Sequence, residues 1–570
     1  MNTEASIAES DLADIDRHFA RFIGQFGGDP NLVESAAILL SRSIRQGHIC
    51  LDLRNPLPGE TNYVADLAQS PAKLRKSRAF GGPDESTPII IDSFQRLYLR
   101  RYWDYQQSLA AAILRKAAHN RARKSESGTQ EAAIKAALQN RFTIISGGPG
   151  TGKTTTVLQI LQRFLQQSNG DRLRIALAAP TGKAAARLQE LVRKMRESSD
   201  LDPKLKERIP QSASTIQRLL GWKADSVYFQ HDARNPLAVD VLVVDEASMV
   251  ALPLMAKLFD ALPENARVIL LGDRDQLASV EPGAVLADMA EAASAKGSPL
   301  QNALLVLSKN YRFGNANAIF KLSSAVRTGD SDEAVKILRE SNFELGSAAI
   351  PLAKQLGAQL ETSVIDQYKP YLEEKEPAKA LAVLQQFRVL CALREGPFGV
   401  RQLNTQIEGI LHKGGLIADP SRSYAGKPIL VTQNDYQAQL FNGDVGILLP
   451  DPAENSGNAP TQLWAWFVGQ DNNVRRLSPA RLPEHELGYA MTVHKAQGSE
   501  FECVLLILPD RDSPVLSREL IYTGVTRASK RVDVWFSEEV LRSSIARQAI
   551  RRSGLRDALT PNAQPLLPLG

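Results

Sequence analysis

Cysteine is scarce in this sequence. Three cysteines occur among 570 residues, at Cys50, Cys391 and Cys503, and none of them belongs to a C-x-x-C pair. A disulfide framework and a four-cysteine zinc or iron-sulfur site are both excluded, because each needs more cysteines at closer spacing. We expect the three thiols to be small buried side chains.

Long hydrophobic runs are absent as well. No stretch approaches the roughly 18 uncharged apolar residues that a membrane span requires. The first residues, MNTEASIAESDLADID, are acidic where a secretory signal would be basic and then apolar. We therefore expect a cytoplasmic protein with no membrane partner.

Neither charge sign is in large excess. The net charge is +5 at pH 7, which permits binding to nucleic acid without requiring it. Hydrophobic residues make up 43% of the chain and charged residues 23%, as in ordinary soluble proteins. Because 570 residues exceed what one hydrophobic core can organise, we expect roughly three or four domains.

The distribution of apolar runs divides the chain. Residues 1 to about 105 contain helical stretches, and residues 116–130 gather Lys, Arg, Ser and Gly, which is typical of a linker or exposed loop. Short apolar runs then alternate with helical patterns, as they do in a parallel sheet covered by helices. The runs are RFTIIS, LRIALAAP, DVLVVDEA and ARVILLGD in a first set, and FRVLCAL, FECVLLILP and RVDVWFS in a second.

Residues from about 425 to 480 have a different character. They form short alternating segments broken by Asn-Gly and Asp-Asn turns, which predicts a small β-barrel inserted into the second α/β set. The carboxyl-terminal LTPNAQPLLPLG is typical of a frayed tail.

The segment GGPGTGKT at 147–154 lies between a predicted strand and a predicted helix. Glycines at these positions let backbone N–H groups surround phosphate oxygens, while the helix adds its positive amino-terminal end. In such a loop Lys153 reaches the β- and γ-phosphates of ATP and otherwise faces solvent, and Thr154 is a ligand of Mg²⁺. The expected nucleotide contacts are Gly147, Gly148, Pro149, Gly150, Thr151, Gly152, Lys153, Thr154 and Thr155.

Acidic and amide side chains follow two later strands. Asp245 and Glu246 directly follow the run VLVV. Asp245 would hold Mg²⁺ through water, and Glu246 would accept a proton from the attacking water. Gln276, in the GDRDQ that follows the next strand, could contact both the γ-phosphate and that water. Alone, these residues would fit a solvated strand end and a surface loop.

Twelve ordered motifs between about 130 and 536 carry a family resemblance. They include TQEAAIKAA, ISGGPGTGKTTTV, LAAPTGKAAARL, ASTIQRLLG, VLVVDEASM, LGDRDQLASVEPGAVL, KNYRFG, LCALREGPFGV, FNGDVGI, ARLPEHE, MTVHKAQGSEF and LIYTGVTRA. This order resembles superfamily 1 helicases, and most closely the family of α subunits of exodeoxyribonuclease V, the RecBCD complex. The resemblance implies an α/β fold with two RecA-like P-loop NTPase lobes, an SH3-like β-barrel insert in the second lobe and a mainly helical N-terminal domain.

The resemblance also implies roles for single residues. Gln130 matches the glutamine that recognises adenine, and Glu500 lies in a nucleotide-contacting motif. Arg312 and Arg527 match the arginines that reach the γ-phosphate from the second lobe, where positive charge stabilises the transition state. The implied contacts to single-stranded DNA are Pro180, Thr181, Lys183, Thr215, Thr492, His494 and Lys495. A structural role for His494 and a solvated helix face for Lys183 stay open.

The implied activity is ATP-dependent unwinding of DNA ends in double-strand-break repair and recombination, with RecB-like and RecC-like subunits as partners. The segment ASVEPGA has no aromatic residue where 3′-to-5′ relatives carry a base-stacking tyrosine, which favours the 5′-to-3′ branch. We find no nuclease pattern of clustered acidic residues. Two alternatives are a free-standing helicase of the same branch and an ATP-dependent interaction switch that does not move on DNA.

The same motifs suggest domain limits. Residues 1–115 would be the domain that docks to partner subunits. The further units would be the first lobe at 116–310, the second lobe at 311–424 and 486–570, and the insert at 425–485, which would close over the strand or act as a spacer.

Overall fold

The computed structural model describes most of the chain and contains four β-sheets within the described residues. These residues are 12–57, 60–69, 71–121, 128–167, 173–197, 202–223, 226–311, 317–340, 342–435, 437–454, 462–469 and 473–560. Among them, no helix has the length and apolar character that crossing a membrane demands. Cys50 and Cys391 are buried, as expected, and Cys503 is half-buried.

Helices and strands are numbered here in chain order. The helices are α1 (Asp14–Gly24), α2 (Pro30–Arg45), α3 (Thr61–Gln69), α4 (Pro71–Leu74), α5 (Arg100–Ala117), α6 (Gln130–Gln139), α7 (Lys153–Leu165), α8 (Gly182–Glu197), α9 (Pro203–Arg208), α10 (Ile216–Leu219), α11 (Leu252–Asp260), α12 (Val285–Ser294), α13 (Ala318–Thr328), α14 (Ser331–Arg339), α15 (Leu356–Glu373), α16 (Pro377–Leu384), α17 (Val400–Lys413), α18 (Arg518–Val525), α19 (Glu538–Ala546) and α20 (Leu555–Leu559). The strands are β1 (Leu51–Asp52), β2 (Phe80–Gly81), β3 (Ile89–Ile91), β4 (Arg96–Leu99), β5 (Phe142–Gly147), β6 (Ile175–Ala179), β7 (Ala213–Thr215), β8 (Val241–Val244), β9 (Arg267–Gly272), β10 (Leu304–Leu307), β11 (Leu345–Ala349), β12 (Phe387–Cys391), β13 (Pro428–Val431), β14 (Val445–Pro450), β15 (Leu463–Val468), β16 (Val474–Leu477), β17 (His485–Leu487), β18 (Ala490–Thr492), β19 (Phe501–Ile507) and β20 (Ala528–Phe536).

The amino-terminal region is mainly helical, as predicted. Helices α1 to α4 cover a sheet of four short strands in the order β1-β4-β3-β2. Helix α2 begins after Asp29, whose carboxylate accepts hydrogen bonds from the N–H groups of Asn31 and Leu32. Its buried face, which includes Val33 and Leu40, packs into the core of this region.

The first lobe is a six-stranded parallel sheet in the order β10-β5-β9-β8-β6-β7. Strand β5 lies between β9 and β10, with Ile144 opposite Leu270 and Leu304. Because all its strands are parallel, the carboxyl ends of β5, β8 and β9 meet at one edge of the sheet, which is where ligands bind in such folds. That edge carries the 147–154 loop, Asp245 and Asp273.

The second lobe is a five-stranded parallel sheet in the order β11-β20-β19-β12-β18. Helices α13, α14 and α18 pack on one face, and α15, α16 and α17 pack on the other. The predicted pair of RecA-like α/β lobes is therefore confirmed.

The predicted insert is a five-stranded antiparallel sheet in the order β16-β15-β14-β13-β17, located between α17 and β18. One face has a small core of its own, which includes Val431, Leu448 and Phe467. The other face packs through Ile447 and Leu449 on the second lobe. The SH3-like form of this insert stays a prediction.

The limit between the amino-terminal region and the first lobe differs from the predicted one because of helix α5. The predicted limit after residue 115 falls inside α5, and the buried side chains Leu109 and Ile113 of this helix share a core with Phe259 of the first lobe. The Lys116 ammonium group donates to the carbonyl oxygens of Pro263, Glu264 and Ala266 at 3.0, 3.2 and 2.8 Å. The sequence change at 116–130 therefore begins within a helix that packs on the first lobe and does not mark the start of that lobe.

The carboxyl-terminal segment returns to the other end of the chain. The Gly554 N–H donates to Gln106 Oε1 at 2.9 Å, and the Ser553 hydroxyl donates to Asp288 Oδ2 at 2.7 Å. The Ile49 N–H donates to the Arg552 carbonyl at 2.7 Å. Residues 551–559, predicted as part of the second lobe, thus tie the first lobe to the amino-terminal region. The predicted frayed tail beyond residue 560 lies outside the described residues.

Candidate active site and nucleic-acid channel

The 147–154 loop connects β5 to α7 by a turn that only glycine fits. Gly150 and Gly152 have φ angles of 79° and 78°, in the left-handed region that side chains disfavour. A Cβ atom on Gly147 would lie 2.6 Å from Thr151 Oγ1, and one on Gly152 would lie 2.1 Å from Gln130 Nε2. The loop therefore forms a narrow cradle lined by backbone, as a phosphate site requires.

Lys153, the first residue of α7, does not face solvent as expected. Its ammonium group donates to the carbonyl oxygens of Gly147 and Gly148, the latter at 3.1 Å. The Thr151 hydroxyl donates to the same Gly148 carbonyl at 2.8 Å. Lys153 is thus held at the mouth of the cradle by the loop itself. Of the neighbouring residues with predicted contacts, Pro149 and Thr154 are half-buried and Thr155 is exposed.

Gln130 lies on the opposite side of the loop, at the start of α6. Its side-chain amide donates to the Gly152 carbonyl at 3.2 Å, and the Thr129 hydroxyl caps the helix by accepting the Ala132 N–H. Tyr311 also reaches the loop, because its N–H donates to the Gly150 carbonyl at 2.8 Å. The next residue, Arg312, which was predicted to reach the γ-phosphate, lies outside the described residues.

Asp245 and Glu246 occupy the carboxyl end of β8, beside the loop. Burial, followed by the neighbouring Glu246 carboxylate, raises the pKa of Asp245 to about 6, while the positive charges of Lys153 and Arg187 act in the opposite direction. Glu246 has a φ angle of 51°, which turns the chain at this point. When the pKa of a carboxyl group is raised in this way, a nearby cation stabilises its charged form. Asp245 therefore has an environment that suits a metal ligand.

The segment Asp273–Leu277, named here the sensor loop, follows β9. The Asp273 side chain is buried and accepts hydrogen bonds from the Asp275 N–H at 3.1 Å and from Gln276 Nε2 at 3.0 Å. Burial raises the pKa of Asp275. The side-chain amide of Gln276, which was predicted to contact the γ-phosphate and the attacking water, is therefore oriented by Asp273. This aspartate lies at the same sheet edge as the phosphate cradle.

Arg527 follows α18 in the second lobe and is buried. Its guanidinium group donates to the carbonyl oxygens of Thr523 and Ser499, both at 3.1 Å. Burial lowers the pKa of Arg527, and the carboxylates of Glu246 and Glu500 oppose this shift. Glu246 belongs to the first lobe, and Tyr522, five residues before Arg527, contacts Asp273 of the first lobe at 3.0 Å. Arg527 therefore stands close to the junction of the two lobes. Glu500 itself pairs with Arg187 of the first lobe at 3.4 Å.

A cavity of about 990 Å³ lies between the two lobes and the insert. Lys183 on its first-lobe side donates to Ser499 Oγ of the second lobe at 2.8 Å. Burial, followed by the charge of Arg388, lowers the pKa of Lys183 to about 8. The cavity gathers six of the seven residues predicted to contact single-stranded DNA: Pro180, Thr181, Lys183, Thr492, His494 and Lys495.

The sequence left open a solvated helix face for Lys183 and a structural role for His494. Lys183 is half-buried between the lobes, so it does not form part of a solvated helix face. His494 lines the cavity, and burial lowers its pKa. Lys495 pairs with Glu486 at 2.6 Å. The cavity therefore has hydroxyl, imidazole and ammonium groups on its walls, as phosphate contacts need.

Thr215 is not brought to this cavity. It ends β7 with 8% of its surface exposed, and its hydroxyl caps α10 by accepting the Arg218 N–H at 3.3 Å. Threonine at this position is explained by helix capping, since an N-cap hydroxyl satisfies a helix N–H group that has no partner within the helix. Its predicted strand contact has no support in this geometry.

A curated relative decides the family. The "RecBCD enzyme subunit RecD" of Mycolicibacterium smegmatis is 38% identical over 581 residues, which cover 96% of this chain and 98% of that one. The chain belongs to the RecD family. Sequence models of three families match parts of this RecD-family chain: "RecBCD enzyme subunit RecD, N-terminal domain" at 8–98, "AAA domain" at 130–282 and "UvrD-like helicase C-terminal domain" at 487–534.

Two further likenesses are more partial. The "ATP-dependent RecD2 DNA helicase" of Deinococcus radiodurans is 33% identical over 436 residues, which cover 76% of this chain and 52% of that protein. Among solved structures, a Bacteroides Pif1 helicase in complex with ADP-AlF3 and single-stranded DNA has 16% identity and a TM-score of 0.38, and the match covers 73% of this chain and 94% of that one.

Sequence reasoning missed several residues of this RecD-family site. Phe441, on an insert loop, packs on Gly182 of the first lobe. The centre of its ring lies 5.3 Å from Cζ of Arg218. The insert thereby touches the first lobe beside the cavity. Arg187 was also missed, although its position one helical turn after Lys183 was a usable signal. Phe441 lies in the FNGDVGI motif, but the motif does not indicate its contacts with Gly182 and Arg218, which are distant in sequence.

Proposed function

We propose that this chain is an ATP-driven 5′-to-3′ DNA translocase and helicase, and that it acts as a subunit of a RecBCD-type complex at DNA ends during double-strand-break repair and recombination. One observation carries the proposal. Where the two lobes meet, Tyr522 of the second lobe, five residues before Arg527, contacts Asp273 and stands against Gly148 of the Lys153 loop, and this place is the proposed nucleotide cleft. Both lobes also line the cavity of about 990 Å³, which is the proposed strand channel. Nucleotide in the cleft and a strand in the channel would therefore act on the same pair of lobes.

The residues of the cleft fit ATP with Mg²⁺. The glycine cradle leaves no room for side chains, and Thr154 and Asp245 offer the hydroxyl and single carboxylate with which Mg²⁺ is usually held alongside phosphates. Among the described residues, no three His, Cys, Asp or Glu side chains group as a protein-only metal site would. Bound Mg²⁺ would neutralise phosphate charge, and Glu246 would accept the proton of the attacking water.

The position of Arg527 couples chemistry to movement. Its positive charge, on the second lobe, would be attracted to the phosphates held by the first lobe and would stabilise charge that develops during hydrolysis. Loss of the γ-phosphate would remove that attraction and let the lobes separate. Because Lys183 and Lys495 stand on different lobes, each opening and closing would change the grip on a strand between them.

ATP hydrolysis with and without single-stranded DNA tests the motor proposal. We expect a strand to raise the steady-state rate at least tenfold, because a strand that contacts both lobes favours their closure. Duplexes with a single 5′ or 3′ tail then test polarity, and only 5′-tailed duplexes should be unwound. Hydrolysis that is indifferent to the strand would instead support an interaction switch.

The subunit role is favoured over a free-standing helicase. Residues 8–98 match the RecD amino-terminal model, and the M. smegmatis relative matches over nearly its whole length. The RecD2 helicase matches over only 52% of its own length. We infer that RecB-like and RecC-like subunits accompany this chain, which purification from its own cells followed by mass spectrometry of the associated chains would test.

The amino-terminal region is proposed as the docking domain. Ile15 and Phe22 of α1 are 63% and 56% exposed and lie seven residues apart, so they share one helix face. We expect Phe22→Asp to weaken co-purification with the partner subunits by about 30-fold or more, as loss of a central apolar anchor does. Phe343→Asp, at an exposed position of the second lobe, is the matched control. Equal co-purification of both variants would contradict the assignment.

The lowered pKa of Lys183 predicts a pH dependence of strand binding. Below pH 8 the ammonium group is charged in the free protein, and a bound phosphate favours that charged form. Above pH 8 binding must therefore take up a proton, so affinity should fall by up to about tenfold per pH unit. Fluorescence anisotropy of a labelled oligonucleotide at pH 7, 8 and 9 and constant ionic strength measures this.

Lys183→Arg provides the control, because arginine stays charged throughout this pH range. We expect the affinity of that variant to be nearly constant where the affinity of the wild type declines. A parallel decline in both proteins would assign the pH dependence to other groups.

A further inference from the structure

Side chains of the second lobe hold the sensor loop at both ends. At its start, Tyr522 of α18 donates its hydroxyl hydrogen to Asp273 Oδ2 at 3.0 Å. At its end, the Leu277 N–H donates to Thr523 Oγ1 at 3.0 Å, and Gln497 Nε2 donates to the Leu277 carbonyl at 2.7 Å. The five residues that form these contacts are all buried.

Asp273 Oδ2 links the two lobes through one atom. It accepts from Gln276 Nε2 within the first lobe and from the Tyr522 hydroxyl of the second, both at 3.0 Å. Burial raises the pKa of Tyr522 well above its usual value, so the phenol keeps its proton and donates. A movement of α18 relative to the first lobe must therefore alter the hydrogen bonding of the carboxylate that orients the Gln276 amide.

The Tyr522 hydroxyl also approaches the phosphate cradle. A Cβ atom on Gly148 would lie 2.7 Å from this oxygen, so one hydroxyl group of the second lobe stands against both the Lys153 loop and the sensor loop. Gln497 lines the strand channel and also donates to the Leu277 carbonyl at the end of the sensor loop.

We propose that Tyr522 is a positioning residue for ATP hydrolysis, which aligns the Gln276 amide through Asp273 when the lobes close, and that Gln497 links this alignment to the strand channel. This inference rests on the proposed motor function. Tyr522 acts through Asp273, and it makes the orientation of the sensor amide depend on the position of the second lobe. Hydrolysis then becomes efficient only when the lobes have closed around a strand.

Tyr522→Phe removes the hydroxyl group and keeps the ring. With saturating single-stranded DNA, we expect kcat for ATP hydrolysis to fall about tenfold or more, as the loss of a hydrogen bond to a charged group predicts. We expect KM for ATP to change by less than about threefold, because the hydroxyl orients Gln276 and does not form the cradle. Asp273→Asn should lower kcat as well, and the double variant should be no slower than the slower single variant, because both act through one contact.

Tyr368→Phe is the matched control. Tyr368 is equally buried, and its hydroxyl donates to the Tyr489 carbonyl at 2.6 Å inside the second lobe. Its loss should lower thermal stability and leave kcat unchanged. Equal kcat values for the Tyr522→Phe variant and the wild type, or additive effects with Asp273→Asn, would overturn the inference. If the wild type itself is not stimulated by a strand, the proposed function fails first, so the two failures are distinguishable.

Discussion

Replacing Lys153 by Gln is expected to lower the rate of ATP hydrolysis by on the order of 10³-fold and to abolish unwinding, while the fold and the assembly with partner subunits persist. The lysine charge stabilises the phosphates during transfer, and removal of one such group from a preorganised site costs on the order of 10²- to 10³-fold or more. Steady-state hydrolysis with single-stranded DNA present measures the rate, and co-purification measures the assembly.

We expect the fold of the Lys153→Gln variant to persist because of the contacts that Lys153 makes. Its ammonium group donates to the Gly147 and Gly148 carbonyls, and a glutamine amide can still donate to one of them. We therefore expect the melting temperature to change by less than about 3 °C. A variant that fails to assemble or melts far below the wild type would show that Lys153 holds the loop together, which would remove the catalytic assignment.

The central strands of both lobes could be predicted because they are buried on both faces. β8 and the greater part of β5 and β9 appear in the sequence as apolar runs, and most of β19 does so in the second lobe. β20, ASKRVDVWF, alternates polar and apolar residues and was indicated only by its last part, RVDVWF. The edge strand β7 could not be predicted, because its three residues, Ala-Ser-Thr, pair with a neighbour on one side only and carry no apolar signal. Short strands are defined by the partner and not by their own sequence.

Contacts between distant segments explain the other differences. The composition changes at 116–130, yet α5, which extends to Ala117, packs on the first lobe through Leu109 and Ile113. The return of residues 551–559 depends on hydrogen bonds such as Gly554 to Gln106, which are 448 positions apart. Local pattern carries no information on such pairs, because a backbone N–H group such as that of Gly554 and a side-chain amide such as that of Gln106 can pair with many different partners.

Much of the candidate site was accessible from sequence because its chemistry needs particular residue types. The cradle requires glycine, and the cleft requires Asp245, Glu246 and an arginine at fixed places relative to strand ends. The cross-lobe contacts of Tyr522 and Gln497 were not accessible. Both residues lie in motifs named from the sequence, LIYTGVTRA and MTVHKAQGSEF, but the partners of their side chains follow only from the relative position of the two lobes.

The substitution Arg527→Lys is expected to lower kcat for ATP hydrolysis by about 10³-fold and to leave nucleotide binding within a few-fold of the wild type. An arginine that reaches transferring phosphate from a second body contributes on the order of 10³- to 10⁵-fold to the rate. Lysine keeps the charge but loses the planar fork that can hold the Thr523 and Ser499 carbonyls while another N–H faces the cleft. Stopped-flow binding of a fluorescent nucleotide and steady-state hydrolysis separate the two quantities.

Arg531→Lys is the control for a generic loss of a guanidinium group. Arg531 lies on the neighbouring strand β20 and forms two hydrogen bonds to Asp533, at 2.9 and 2.7 Å, on a partly exposed surface. An exposed pair of this kind contributes about 1 kcal/mol or less to stability and is remote from the cleft. Its kcat should match that of the wild type. Equal losses in both variants would mean that Arg527 stabilises the second lobe and takes no part in hydrolysis, because a residue that acts only on the transition state should change kcat specifically while the Arg531 control leaves it unchanged.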